Sequence, residues 1–204
     1  KFFTTYAAID GWRHNTHAKP GNSILDHWLY SRLESLTMKI NEHMDAYQLF
    51  PVVPLLVDFI EALTNTYIRL NRDRYWGDGL TDDKCAAYTT LYQALTQFSV
   101  CMAPFVPFLS EHIYQQLRPY NDKNQALSVH LCSYPQAEPQ QIKSKLEQAI
   151  IQLEQILILG RQMRNDAKIK IKVPLKTMTL IHKNQALLDE LSKLEPIIKK
   201  ELND

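Results

Sequence analysis

The chain has 204 residues, 45% of them hydrophobic, with a formal net charge of +1. That apolar content can fill the core of one large domain, with or without a small appendage. The balanced charge excludes a uniformly basic nucleic-acid binder, so any polyanion site must be a local patch.

Glycine is scarce at 5 residues and proline stands at 10, a usage that favours helices over sheets of tight turns. The three cysteines, Cys85, Cys101 and Cys132, form no Cys-x-x-Cys pair, which points to a reducing, cytoplasmic setting. No apolar run approaches the ~20 residues needed to cross a membrane, and no secretory leader opens the sequence. An apolar, structured start without Met reads as a piece of a longer chain.

Residues 1–22 read as a connecting segment, with Phe2, Phe3, Tyr6 and Ile9 on one helical stripe and Asp10-Gly11 as its stop. Asn22 or Ser23 can cap a helix whose stripe runs through Ile24, Leu25, Trp28, Leu29, Leu33, Leu36, Ile40, Met44 and Tyr47. A second long helix is predicted from about Pro54 to Trp76, through Leu55, Leu56, Phe59, Ile60, Leu63 and Tyr67. Thr81 or Asp82 begins a third, with Tyr88, Leu91, Leu95, Phe98 and Met102 inward. A fourth spans Pro107 to Leu117, with Phe108, Leu109, Ile113 and Leu117 inward. Short connections between four such helices predict an antiparallel bundle.

Residues 118–141 read as irregular, with Ser128–Leu131 as a short extended piece. A fifth helix is predicted over Ile142–Asp166, with Leu146, Ile150, Leu153, Leu157 and Met163 on its stripe. Lys168–Lys172 and Lys176–His182 alternate with period two and predict strands. A helix over Gln185–Leu194 and a turn or helix from Pro196 close the chain. The expectation is therefore a mainly α fold: a segment at 1–22, a helical bundle at 23–167 and a small βα appendage at 168–204.

No phosphate-binding glycine loop and no nucleophile elbow are present. His14-x-x-His17 has metal-compatible spacing, but no further Cys or acid completes a ligand set. Adjacent Glu111 and His112 cannot face one another on a helix, and an ordinary surface pair is expected. Two stretches remain. Tyr67–Trp76 crowds Arg69, Arg72 and Arg74 among aromatics, and Asn71 lies between them. Residues 161–176 hold Arg161, Arg164, Lys168, Lys170, Lys172 and Lys176 against the single acid Asp166. Arginine forks and aromatic faces suit single-stranded RNA, but both stretches equally suit a bundle with solvated charges. Trp28 reads as core, and Trp12 and Trp76, next to glycines, as possible stacking platforms.

Several runs resemble isoleucyl-tRNA synthetases, in order along the chain. They are Phe2–Trp12, Leu25-Asp26-His27-Trp28-Leu29-Tyr30-Ser31-Arg32-Leu33, Tyr67–Trp76, Met102–Tyr114 and Ser128-Val129-His130-Leu131 with Tyr134-Pro135. Lys172-Val173-Pro174-Leu175-Lys176, with Leu180–His182 and Glu201–Asn203, is more similar to the eukaryotic-type branch, and Val173 departs from the polar or aromatic residue usual there. The resemblance implies an all-α anticodon-binding domain. Its partners are an isoleucine-accepting tRNA and the catalytic and editing domains of the same monomeric parent chain. HIGH- and KMSKS-type signatures are absent from these residues, so ATP and Mg would be used elsewhere in the parent and no cofactor or metal is expected here.

The resemblance makes Arg69, Arg72, Arg74, Arg161, Arg164, Lys168, Lys170 and Lys172 the expected phosphate contacts. It gives Asn71 a base edge and Trp76 a stacking role, and it leaves Arg32 to brace the bundle through an acid. The competing expectation is a helical interaction module that docks through an apolar face around Phe2, Phe3 and Tyr6.

Overall fold

The computed structural model describes residues 1–14, 21–121 and 126–203, and among these the regular structure is helical apart from one bridge between His14 and Asn121. The α-helices are α1 (Phe2–Ile9), α2 (Ile24–Asp45), α3 (Val52–Glu61), α4 (Arg72–Trp76), α5 (Asp82–Met102), α6 (Pro107–Leu117), α7 (Ser144–Asp166), α8 (Gln185–Ser192) and α9 (Glu195–Leu202). His17, one half of the His-x-x-His spacing, lies outside the described residues. Among the described residues no group of three or more His, Cys, Asp or Glu is placed to hold a metal, and no helix is long and apolar enough to cross a membrane.

Contacts divide the chain into two units, Lys1–Ile142 and Lys143–Asp204. The division falls before α7, not at 167/168, because α7 packs with α8 and α9.

In the first unit α5 is the central element, touching α1, α2, α4 and α6. Tyr30 bonds Gln93, Glu34 accepts from Gln97 at 3.0 Å and Thr37 meets Cys101 at 3.7 Å, so α2 and α5 run parallel. The α3–α4 arm runs back against α2, fixed by the Arg32–Asp58 pair at 2.5 Å, which is the bracing expected of Arg32. The N-terminal segment is part of this core. Phe3 and Trp12 are buried, with rings 5.6 Å apart, and both pack against Tyr88 and Tyr92. Trp12 is therefore no surface platform, and no apolar face lies open at Phe3.

The expected single helix from Pro54 to Trp76 is interrupted. Residues Ala62–Ile68 form a π-helix, and Asn71 breaks the helix before α4. The Thr64 hydroxyl takes the Ile60 carbonyl at 2.8 Å, a local competitor for the α-helical ladder. On α6 Leu117 faces inward as expected, but its inward neighbours are Ser110 and Tyr114, one position on from Leu109 and Ile113, and Phe108 is 91% exposed. Ser128–Leu131 is not extended: Val129–Leu131 is a 3-10 turn, held by Glu111, which accepts from Ser128 Oγ at 2.9 Å and Val129 N at 2.8 Å.

In the second unit α7 buries Leu146, Ile150, Leu153 and Leu157, as its stripe predicts, and leaves Met163 exposed. Gly160 admits α9, since a Cβ there would lie 2.6 Å from Leu202 Cδ1. Neither predicted strand forms among the described residues. The carbonyls of the first are taken by side chains instead of a neighbouring strand: Arg164 reaches those of Lys170, Ile171 and Val173, and Asn203 that of Ile171.

Asp10 ties α1 to α5. Its carboxylate pairs with buried Lys84 at 2.6 Å and accepts from the Tyr88 hydroxyl at 2.5 Å. Burial works to raise the Asp10 carboxyl, but bonds from Lys84 and Tyr88 and the Lys84 charge outweigh it and hold the carboxyl below its ordinary value of 3.8. Stability from this group is present above that value and is lost as pH falls through the lower folded-state value. All three tryptophans lie in the first unit, so their fluorescence reports on it. Urea unfolding followed by tryptophan emission should show stability falling below about pH 4, with Asp10→Asn less stable at neutral pH and shallower in its pH dependence.

Candidate nucleic-acid interface

Ser23 caps α2 through a reciprocal box with Asp26: Asp26 N donates to Ser23 Oγ at 3.1 Å and Ser23 N to Asp26 Oδ2 at 3.3 Å. Asp26 is fully buried, and its two oxygens also accept from Tyr67 Oη at 2.6 Å and from Arg74 Nη1 and Nη2 at 2.9 and 3.1 Å. Four donors fill the capacity of one carboxylate. Gly21 must be glycine for this to fit, since a Cβ there would lie 1.8 Å from Asp26 Oδ2.

Arg74 turns its remaining donors to Asp83, with Nε at 2.9 Å and Nη2 at 2.7 Å. Burial opposes the guanidinium's charge, but bonds to Asp83 and Asp26 more than offset it and raise its pKa. Burial, then the neighbouring Tyr75 and Asp26, hold the Tyr67 hydroxyl well above its ordinary value, so it remains a donor. Tyr67 lies near the end of the π-helix, and Arg74 on α4 beyond the break at Asn71.

This network corrects two expected contacts. Arg74 is a bundle brace enclosed by two carboxylates, not a free phosphate ligand. Asn71 is 4% exposed and engaged at both ends, donating Nδ2–H to the Tyr67 carbonyl at 2.9 Å and accepting from Arg74 at 3.2 Å. It offers no edge to a base. Arg69 is half-buried and donates to the Asn65 carbonyl at 2.8 Å.

Arg72 and Trp76 are different. Both are exposed, and the Arg72 guanidinium lies over the Trp76 ring, 5.3 Å from its centroid. The indole is 54% exposed but anchored at its edge, where Nε1 donates to Tyr6 Oη at 2.8 Å. This is a charged, planar platform on the first unit.

In the second unit Arg161 is exposed but paired with Glu201 at 2.6 Å. Arg164 is buried at 5% exposure, its Nη2 turned to backbone carbonyls, so it cannot meet a phosphate. Lys168, Lys170 and Lys172 are exposed, and none has an acidic partner among the ion pairs of the described residues. Sequence reasoning missed Asp26 as the common anchor. The Ser23-x-x-Asp26 spacing signals its cap, but nothing along the chain signals Tyr67 or Arg74 as its partners.

Fold and surface together define a helical domain that carries local cationic patches on an otherwise charge-balanced chain. Residues 26–179 match the family described as the anticodon-binding domain of tRNA ligase, and the chain belongs to that family. It is 44% identical over 203 residues to an isoleucine–tRNA ligase of Bdellovibrio bacteriovorus, covering 99% of this chain and 19% of that protein. An isoleucine–tRNA ligase of Clostridium tetani is 38% identical over 178 residues, 87% of this chain and 17% of that protein. One of Chlamydia trachomatis is 38% identical over 202 residues, 99% and 19%. The chain thus spans under a fifth of the length of these relatives.

Arg74→Ala strands the buried Asp26 carboxylate and should cost the first unit about 3–5 kcal/mol. Arg72→Ala should change it by no more than about 0.5 kcal/mol. Urea midpoints read by tryptophan emission check both.

Proposed function

We propose that this domain grips the anticodon stem-loop of an isoleucine-accepting tRNA, as one part of a cytoplasmic, monomeric isoleucine–tRNA ligase. The remaining parts of such a ligase, its catalytic and editing domains, would join isoleucine to the tRNA with ATP and Mg. The observation that carries this reading is the match to isoleucine–tRNA ligases along nearly the whole chain. The physical task is to neutralise backbone phosphates and offer a ring to unstacked bases. Arg72, Lys168, Lys170 and Lys172 have the exposure for the first part, and Trp76 for the second. Arg69 and Arg161 contribute charge at closer range to their own partners.

One observation favours a second reading, docking on another protein surface. Phe50, Val53, Val57 and Ile60 are exposed along and just before α3. Apolar docking is insensitive to salt, whereas phosphate contact is not.

The test is fluorescence-anisotropy binding of the chain to an isoleucine-tRNA anticodon stem-loop and to a scrambled loop across a salt series. Four phosphate contacts would give a log–log salt slope of roughly −3. Arg72→Ala should flatten it by about 0.7, and Trp76→Ala should weaken binding without changing the slope. Equal binding to both loops, or a flat slope, would sink the reading.

A further inference from the structure

The end of α7 is closed by a Schellman motif. Ile169 N donates to the Arg164 carbonyl at 2.8 Å and Lys168 N to that of Asn165 at 2.9 Å. The residue that must then adopt the left-handed conformation is Lys168, at φ 55°. Glycine holds this position at little cost, whereas a side chain there is strained. The same motif closes α2 with Tyr47 at φ 57°, so this chain tolerates a side chain at such a position, and at α7 the side chain is an exposed cation.

The chain that follows is held from inside. Arg164 Nη2 donates to Lys170 O at 2.9 Å, to Ile171 O at 3.2 Å and to Val173 O, while its Nε and Nη1 are shut away without a partner among the described residues. Val173 N closes a turn onto Lys170 O at 2.9 Å. From the other side Asn203 donates Nδ2–H to Ile171 O at 3.3 Å, and its backbone carbonyl accepts from Leu175 N at 3.0 Å. A stretch whose sequence alternates like a strand is thereby knotted around one guanidinium, with its three lysines outside.

We infer that Arg164 is a positioning residue: it holds 168–173 in one conformation so that Lys168, Lys170 and Lys172 meet RNA phosphates as a preformed patch. This rests on the RNA-binding reading above. A floppy tri-lysine segment would lose conformational freedom on binding, and the knot removes that loss beforehand. Arg164 touches no phosphate itself, so its effect is on affinity and not on the number of counterions released. The departure at Val173 is consistent with this, because that residue serves through its carbonyl.

Arg164→Lys keeps the charge, but its side chain ends one bond short of the place where Nη2 meets the three carbonyls. The experiment compares the whole chain with this variant and with Lys168→Gly in stem-loop binding, salt slope, thermal melting by circular dichroism and tryptic cleavage after residues 168–172. For Arg164→Lys we expect faster cleavage of the loop, affinity about tenfold weaker and an unchanged salt slope. For Lys168→Gly we expect a higher melting temperature, weaker binding and a slope flatter by about 0.7. If Arg164→Lys binds as tightly as the parent chain while its loop opens to trypsin, the positioning role is overturned and the RNA reading stands. A melting temperature raised in Lys168→Gly with no loss of binding overturns the role of the strained lysine. A parent chain that binds no stem-loop at low salt overturns the RNA reading, and this inference falls with it.

Discussion

The first unit depends on one buried carboxylate. Asp26 sits at the start of α2, fully enclosed, and draws in the cap residue Ser23, the π-helical Tyr67 and the α4 guanidinium of Arg74. An enclosed carboxylate without partners is prohibitive, and four donors make it tolerable. Its partners come from three places along the chain, so satisfying it fixes where α4 lies against α2. Asp83 takes up the rest of Arg74 and so ties in the start of α5. Around this polar anchor the aromatic packing of Phe3, Trp12, Tyr88 and Tyr92 fills in the apolar contacts.

The same constraint divides the arginines of the Tyr67–Trp76 run by task. Arg74 faces inward and holds the bundle together. Arg72, two residues earlier, faces solvent over Trp76. The two lie two positions apart on α4, about 200° around the helix, so one faces the bundle when the other faces solvent. An internal brace and a surface platform thus share ten residues.

The second unit applies the same economy with backbone acceptors. Arg164 looks like one more surface cation in the basic stretch, yet it lies beneath the loop and organises it. Peptide carbonyls, left without strand partners, find their donor in its guanidinium. Lys168, Lys170 and Lys172 lie at the surface of the loop whose carbonyls this arginine holds.

Much was legible along the chain. Amphipathic spacing located the helices because a buried stripe must recur every three or four residues, as Leu146, Ile150, Leu153 and Leu157 do on α7. Charge clustering located both basic stretches. The motif runs located the family, because they combine core, cap and surface residues in one order. What spacing could not supply was the role of each polar residue. Asn71, Arg74 and Arg164 are indistinguishable by type from contact residues, and only the fold reveals that each is buried on a partner far away or around a bend. Lys168–Lys172 alternates like a strand, but alternation records only which sides a strand would show. Whether a ladder forms depends on a neighbouring strand, and here Arg164 and Asn203 take the carbonyls instead. The sequence by itself determined the helices, the charge patches and the family. The tertiary structure decided which cations are spent on the fold and which remain at the surface, because that depends on long-range pairing that no local pattern encodes.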